Sequence, residues 1–218
     1  MRKMLKNIFG SLLDLFFPAS CLICSDYLED EVLVCRNCLK SLKLHRNENK
    51  SYFSVFSYSE KIRTLIHELK YNNRPDIGRI MGREIALKLK GLIGNETSVL
   101  LPVPLHRNRL RKRGYNQSEK ICEGFAEIIN IPVETELLIR RKNNVSQTTL
   151  NASGRSENVK GIFGPGPAVV DHDNTIFIVD DLITTGATTR EAVSELKKQG
   201  YSKFFSLCIA TSTKGSGN

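Results

Sequence analysis

The chain has 218 residues, of which 40% are hydrophobic and 25% charged, with a formal net charge of +9 and a pI near 9.3. That length allows one full domain and a small appendage, and no run of about 18 apolar residues suggests a membrane-spanning helix. The positive balance favours an anionic partner, whether nucleic acid, phosphorylated metabolite or anionic lipid, without choosing among them.

The first 17 residues, MRKMLKNIFGSLLDLFF, are basic and then apolar, as in a signal peptide, and Ala19-Ser20-Cys21 resembles a lipoprotein cleavage site. Asp14 interrupts that apolar core, however. Ile8, Leu12, Leu15 and Phe16 recur at helical spacing, so an amphipathic helix ending at Pro18, and a cytoplasmic location, are expected. Cys21-x2-Cys24-x10-Cys35-x2-Cys38 follows. A two-residue gap lets both thiolates of a pair reach one ion from a tight turn, and two such knuckles make a tetrahedral site for Zn²⁺ with Zn–S bonds of about 2.3 Å. Four protein ligands leave no open position, so the metal is expected to be structural. Two disulfides, a redox pair or an iron–sulfur cluster are the alternatives. The metal module is expected over residues 1–47, with 45–50 as a polar linker, and a larger domain over 48–218. Cys122 and Cys208 stand in apolar surroundings and read as core thiols.

The larger domain alternates strand and helix. Strands are expected at 52–58, 99–103, 136–139, 177–179 and 203–210, and helices at 60–71, 76–92, 114–129 and 188–199. Residues 213–218 read as a frayed tail. This alternation implies an α/β fold, an open and mostly parallel sheet with helices on both faces, which binds ligands beyond the carboxyl ends of its strands.

Two polar segments lie between these elements. Pro102-Val103-Pro104 leads into Arg107, Arg109, Arg111, Lys112 and Arg113, and then Gly114-Tyr115-Asn116-Gln117 opens a helix. A strand end, a stiffened turn and a cation cluster suit a pyrophosphate; nucleic-acid backbone, with Tyr115 as a stacking face, or a plain solvated patch fit as well. Residues 140–158 form a polar loop too long for a simple connector. It reads as a mobile lid over a charged substrate, or as a surface loop.

The most informative stretch is 177–189, FIVDDLITTGATT. Asp180 and Asp181 end an apolar run, with no Lys or Arg nearby in the sequence to pair them. The loop that follows leads into a helix N-terminus, where free N–H groups and the dipole favour an anion. Small residues allow a phosphate close approach, and Thr184, Thr185 and Thr188 add hydroxyl donors beside Gly186 and Ala187. The carboxylates call for hydroxyl donors, which a ribose diol supplies one sugar length from its 5′-phosphate. A cationic C1′ in an oxocarbenium-like transition state would also be stabilised by them. A plain strand–turn–helix connection needs one Asp, not two, and the Gly-Lys-Ser/Thr ending of a nucleotide P-loop is absent.

This stretch closely resembles the phosphoribosyl pyrophosphate (PRPP) loop of type I phosphoribosyltransferases. With the four-cysteine module, Leu69-Lys70-Tyr71, Pro102-Val103-Pro104, Arg113 to Gln117, and Gln147, Leu150, Arg155 and Asn158 in that order, nearly the whole chain resembles the ComF/ComFC (GntX-like) family. The resemblance implies a zinc ribbon joined to a type I phosphoribosyltransferase fold, and a role in natural transformation, handling incoming single-stranded DNA. It implies Asp180 and Asp181 as catalytic residues and residues 184–188 as the 5′-phosphate site. Arg107, Arg109, Arg111, Arg113 and Lys70 would form the anion site; Gln147, Arg155 and Asn158 would belong to the lid. PRPP with Mg²⁺ would be the ligand, and single-stranded DNA and competence proteins such as a helicase and processing factors the candidate partners. Against this pattern, purine-salvage relatives often carry an Asp where Thr184 stands, and no N-terminal glutaminase-type Cys is present. The alternatives are an active transferase in nucleotide metabolism on an unidentified acceptor, without a competence role, and a regulator that senses PRPP.

Overall fold

The computed structural model describes residues 19–28, 32–45, 52–93, 97–142 and 160–212. The expected N-terminal amphipathic helix, most of the 45–50 linker, the body of the 140–158 loop and the 213–218 tail lie outside them. The chain divides into two compact units, 1–43 and 44–218. Leu44 bridges to Phe56 and the His45 amide donates to the Val55 carbonyl, which ties these two residues to the second unit.

In the first unit, short turns carry the cysteines, and one helix, α1 (Arg36–Lys40), begins directly after Cys35. Among its described residues only Cys21, Val34, Cys38 and Leu42 are buried apolar side chains. So small a core leaves most of the fold's stability to be supplied by some other link.

The second unit is built on four parallel strands in the order β1-β6-β5-β2: β1 (Tyr52–Ser57), β2 (Ser98–Pro102), β5 (Thr175–Ile183) and β6 (Phe204–Thr211). A separate antiparallel pair, β3 (Leu138–Arg140) and β4 (Phe163–Pro165), stands beside the sheet. The period-2 alternation of the strands sorts the core. Val99, Leu101, Ile176 and Ile178 pack with Ala192 and Leu196 of α6 (Ala187–Lys198) and with Leu138 and Phe163 of the hairpin. Leu100, Phe177 and Val179 point the other way, where α5 (Gln117–Ala126) lies against β2 and β5. The expected parallel sheet with helices on both faces is thus what the chain forms.

Helix α2 (Glu60–Tyr71) starts where the Ser59 hydroxyl accepts from the Ile62 amide, and it buries Ile62, Leu65, Ile66 and Leu69. Helix α3 (Pro75–Leu89) has Pro at its first turn, where no N–H is needed, and packs against α5. Glycines set that packing. A Cβ on Gly82 would lie 2.1 Å from the Ile121 oxygen, and one on Gly124 would lie 2.0 Å from the Arg79 oxygen. The two backbones touch, and Arg79 closes the contact with its Nη2 2.8 Å from Glu123 Oε2.

The structure departs from the sequence expectations at several places. The helix expected at 76–92 runs from Pro75 to Leu89. The cation cluster, read as a loop, forms α4 (Arg107–Arg113). Gly114, expected to open the next helix, instead closes α4 in the left-handed region at φ 84°, and α5 begins only after Asn116, whose side chain accepts from the Ser118 amide. The strand expected at 177–179 runs from Thr175 to Ile183, because β6 keeps pairing through Asp180↔Cys208 and Leu182↔Ala210. The aspartates therefore belong to the strand, not to the loop. Strand β4 was not expected at all; three residues around Gly164 carry too little alternation to announce it.

Candidate functional site

In the first unit the Sγ atoms of Cys21, Cys24, Cys35 and Cys38 all lie within 4.8 Å of one another. The knuckles are preformed by the backbone. The Cys21 amide donates to the Asp26 carbonyl at 2.9 Å, and Ser25 takes a positive φ of 63° to close the turn. Amides aim at the sulfurs as well: Cys35 N–H to Cys21 Sγ at 3.4 Å and Cys38 N–H to Cys35 Sγ at 3.3 Å. Burial pushes the Cys21 thiol up, but amides of Cys35, Cys24 and Ile23 outweigh it and bring the pKa down to about 6. The Cys24 and Cys38 thiols are pushed up instead, so it is the gathering of four sulfurs within 4.8 Å that lets these residues hold a metal ion such as zinc.

In the second unit the carboxylates of Asp180 and Asp181 occupy the carboxyl end of β5. Asp181 is 2% exposed, and Lys70 Nζ, from the last turn of α2, lies 2.8 Å from its Oδ2. The contact is ionic but poorly angled for a hydrogen bond, which leaves that oxygen with an unused lone pair. Sequence reading had left the pair uncompensated; its cation comes from 111 positions upstream (181 − 70) and was visible only as part of the Leu69-Lys70-Tyr71 motif. Asp180 accepts from the Asp181 amide at 2.9 Å, and Ser118 Oγ lies 3.4 Å from its Oδ1. Burial first, and then the neighbouring Asp181 charge, push the Asp180 carboxyl up to about 7, against the pull of Lys70 and Arg140.

Three residues beyond the strand the chain turns into α6. Gly186 occupies the N-cap position at φ 70°, in the left-handed region, and no side chain caps the helix. The nearest substitute is the Thr185 hydroxyl, 3.4 Å from the Ala187 amide. Thr184, Thr185, Gly186, Ala187 and Thr188 are all partly open to solvent. The first-turn amides therefore point outward as anion donors beside the carboxylates. Arg190, not singled out from the sequence, donates from Nη1 to the Thr185 carbonyl at 2.8 Å and fixes the back of this loop.

The helical form of 107–113 divides its cations. Arg109 and Arg113, one turn apart, are half-buried, whereas Arg107 and Arg111 are exposed. Arg113 feels the charge of Asp181, bonds the Gln117 side chain, and lies 6.0 Å from the centre of the Tyr71 ring. The residues after it form a clamp. The Tyr115 hydroxyl donates to the Leu69 carbonyl, next to Lys70, and Asn116 Nδ2 donates to the Val103 carbonyl at 3.1 Å. With Ser118 on Asp180, this segment ties α2, β2 and β5 together. Tyr115 is 7% exposed, so it offers no stacking face, contrary to the sequence reading; its ring is spent on holding α2. His106 caps α4 by accepting from the Asn108 amide, and its pKa is lowered by desolvation and then by Arg107, Arg140 and Arg109. Gln147, Arg155 and Asn158 lie outside the described residues. Among the described residues no helix is long and apolar enough to cross a membrane.

No protein-family model matches the chain. It is 28% identical to competence protein F of Haemophilus influenzae over 182 residues, covering 81% of this chain and 78% of that protein. It is 30% identical to the DNA utilization protein YhgH of Escherichia coli over 152 residues, covering 67% of this chain and 66% of YhgH, just under two thirds of its length. The match to competence protein ComFC of Bacillus subtilis is 27% over 174 residues, 77% of this chain and 67% of that protein. Among solved structures, the glutamine PRPP amidotransferase of B. subtilis aligns with a TM-score of 0.43 and 22% identity over 66% of this chain and 30% of that one. A hypoxanthine phosphoribosyltransferase of Staphylococcus aureus aligns at 0.41 and 9%, over 64% and 75%. Likeness at those scores carries nothing about chemistry, which rests on the residues above. Its sequence relatives are thus competence protein F, ComFC and the DNA utilization protein YhgH, at 27–30% identity over most of the chain.

Proposed function

We propose that the second unit binds PRPP and that the protein serves the handling of DNA for which its relatives, competence protein F, ComFC and the DNA utilization protein YhgH, are named. One observation carries the ligand: a strand end bearing Asp180 and Asp181 sits one loop away from the uncapped N-terminus of α6. In this reading Asp180, the more open carboxylate, accepts the ribose hydroxyls, with Asp181 behind it on Lys70. The amides and hydroxyls of residues 184–188 donate to the 5′-phosphate. Arg109 and Arg113 face the pyrophosphate, with Arg107 and Arg111 at its solvent rim. Lys70 pairs with Asp181 and fixes its carboxylate behind Asp180. Mg²⁺ held by the pyrophosphate oxygens would supply charge neutralisation beside Arg109 and Arg113. Where a nucleophile attacks C1′, the carboxylates stabilise the positive charge that develops as pyrophosphate leaves. In the first unit the four cysteines hold a structural Zn²⁺.

The functional half of the reading is tested by complementation. A strain lacking this protein, in a naturally transformable host, receives either the wild-type chain or Asp180→Asn/Asp181→Asn at equal cellular abundance. A transformation frequency restored by the wild type and not by the double variant supports a PRPP site working in DNA handling. Equal restoration by both overturns it. Pyrophosphate release with candidate acceptors, measured alongside, shows whether binding leads on to transfer.

A further inference from the structure

The β3 strand carries its side chains the wrong way round. Leu138 is 1% exposed and packs in the core with Ile176 and Ile178, so the alternate position on the same face is Arg140. Ile139, between them, is 42% exposed. Of the two residues after Leu138, the apolar Ile139 faces water while Arg140 shares the inward face with Leu138. The Arg140 guanidinium lies 5.7 Å from the centre of the Phe163 ring, its partner across the hairpin. Its Nε–H is buried and has no hydrogen-bond partner, and no carboxylate lies within ion-pair distance of it among the described residues. Desolvation works against its charge, Arg109 repels it, and Asp180 attracts it more weakly. His106 stands within reach of the same two arginines. An unused donor on a half-buried cation, facing a second cation, is a costly arrangement unless an anion fills it.

We infer that Arg140 is a binding residue for the pyrophosphate group, donated by the β3–β4 hairpin, with Arg109 and His106 completing the cradle. The inference rests on the PRPP reading given above. It adds a contact from outside the parallel sheet, on the first residue of the polar segment that continues beyond Lys142. The two arginines share the charge of the group, while the Phe163 face packs against the Arg140 guanidinium. Arg140 thereby discriminates PRPP from ribose 5-phosphate, which lacks the group it meets.

The test is calorimetric titration of the full-length wild type, Arg140→Gln and Arg140→Lys with PRPP, ribose 5-phosphate and inorganic pyrophosphate, each with Mg²⁺. Thermal melts confirm that each variant is folded. The inference expects Arg140→Gln to weaken PRPP and pyrophosphate by about 10- to 100-fold, the range for a charge-assisted hydrogen bond, with ribose 5-phosphate changed less than about 2-fold. Arg140→Lys should recover part of the loss. Unchanged PRPP affinity in Arg140→Gln overturns the inference while leaving the PRPP site intact. Equal weakening of PRPP and ribose 5-phosphate overturns it too, by showing that Arg140 only supports the fold of the site. A wild type that binds none of the three ligands removes the PRPP reading itself, and this inference with it.

Discussion

Lys70 Nζ lies 2.8 Å from Asp181 Oδ2, joining the last turn of α2 to an inner strand of the sheet. The pair gathers three features that are far apart in sequence: the Leu69 carbonyl held by Tyr115, the Arg113 charge felt by Asp181, and the neighbouring Asp180. Asp181 is nearly inaccessible, so its charge is tolerated only with this partner. Replacing Lys70 by Met leaves a buried carboxylate beside a second one. Removing one partner of such a pair should cost about 3 kcal/mol of folding stability. The loss should be largest near pH 8 and smaller near pH 5, where the carboxylates can share a proton. Urea unfolding of Lys70→Met at the two pH values checks this.

The raised carboxyl of Asp180 makes stability depend on pH in a defined direction. Its folded pKa, about 7, lies above its ordinary value of 3.8, so the folded state holds the proton more tightly than the unfolded chain. Stability from this group is therefore fully present below pH 4, falls as pH rises through 7, and is flat above that. With Asp180 partly open to solvent, the loss should be about 2 kcal/mol rather than the larger value that the shift alone implies. Asp180→Asn removes the titration, so its stability relative to wild type should rise between pH 5 and pH 8. Ligand hydroxyls need the ionised form, so the affinity of the wild type for PRPP should climb over the same window.

Metal removal should affect one unit and spare the other. The first unit has four buried apolar side chains among its described residues, whereas the second has a full core. A four-thiolate metal contributes on the order of 10 kcal/mol to the folding of such small modules. Elemental analysis is expected to find one zinc per chain. Cys38→Ser, or a strong chelator, should release it and expose sites within residues 19–43 to protease, while the 44–218 unit resists and keeps its affinity for PRPP.

The contact between α3 and α5 depends on the absence of side chains. A methyl group on Gly82 would meet backbone on two sides, 2.1 Å from the Ile121 oxygen and 2.8 Å from the Phe125 nitrogen, and neither can rotate away. Gly82→Ala should therefore cost about 3 kcal/mol, at the upper end of overpacking effects. Gly91 is a control: at φ 95° with nothing within 4 Å, its substitution by Ala strains only the local backbone, for about 1 kcal/mol. Denaturation midpoints of the two variants separate steric from conformational cost.

Much of the architecture was legible because it rests on local signals. The apolar face of α2, its Ser59 cap and the continuous runs of β2 and β5 can each be read within a short window. So can the paired cysteines, whose sulfurs the structure gathers within 4.8 Å. What stayed hidden depends on residues distant in the chain. Lys70 finds Asp181, Ser118 finds Asp180, and β5 extends past Val179 only because β6 offers partners as far as Thr211. Tyr115 looked like an exposed ring because Arg113 and Gly114 precede it, yet its hydroxyl is committed to Leu69. The clustered arginines read as a loop because their charge masks a short helix, whose half-buried face only the fold reveals. Arg140 gave one readable sign: a cation at a position in phase with buried Leu138.

Titration of the full-length protein with PRPP and Mg²⁺, beside Asp180→Asn/Asp181→Asn, tests most directly whether this corner grips a phosphorylated sugar. The wild type should bind at one site per chain, and the double variant, folded by its thermal melt, should lose about 100-fold in affinity as the charge-assisted hold on the sugar is weakened. Equal affinity in both proteins, or no binding by the wild type, would contradict the account.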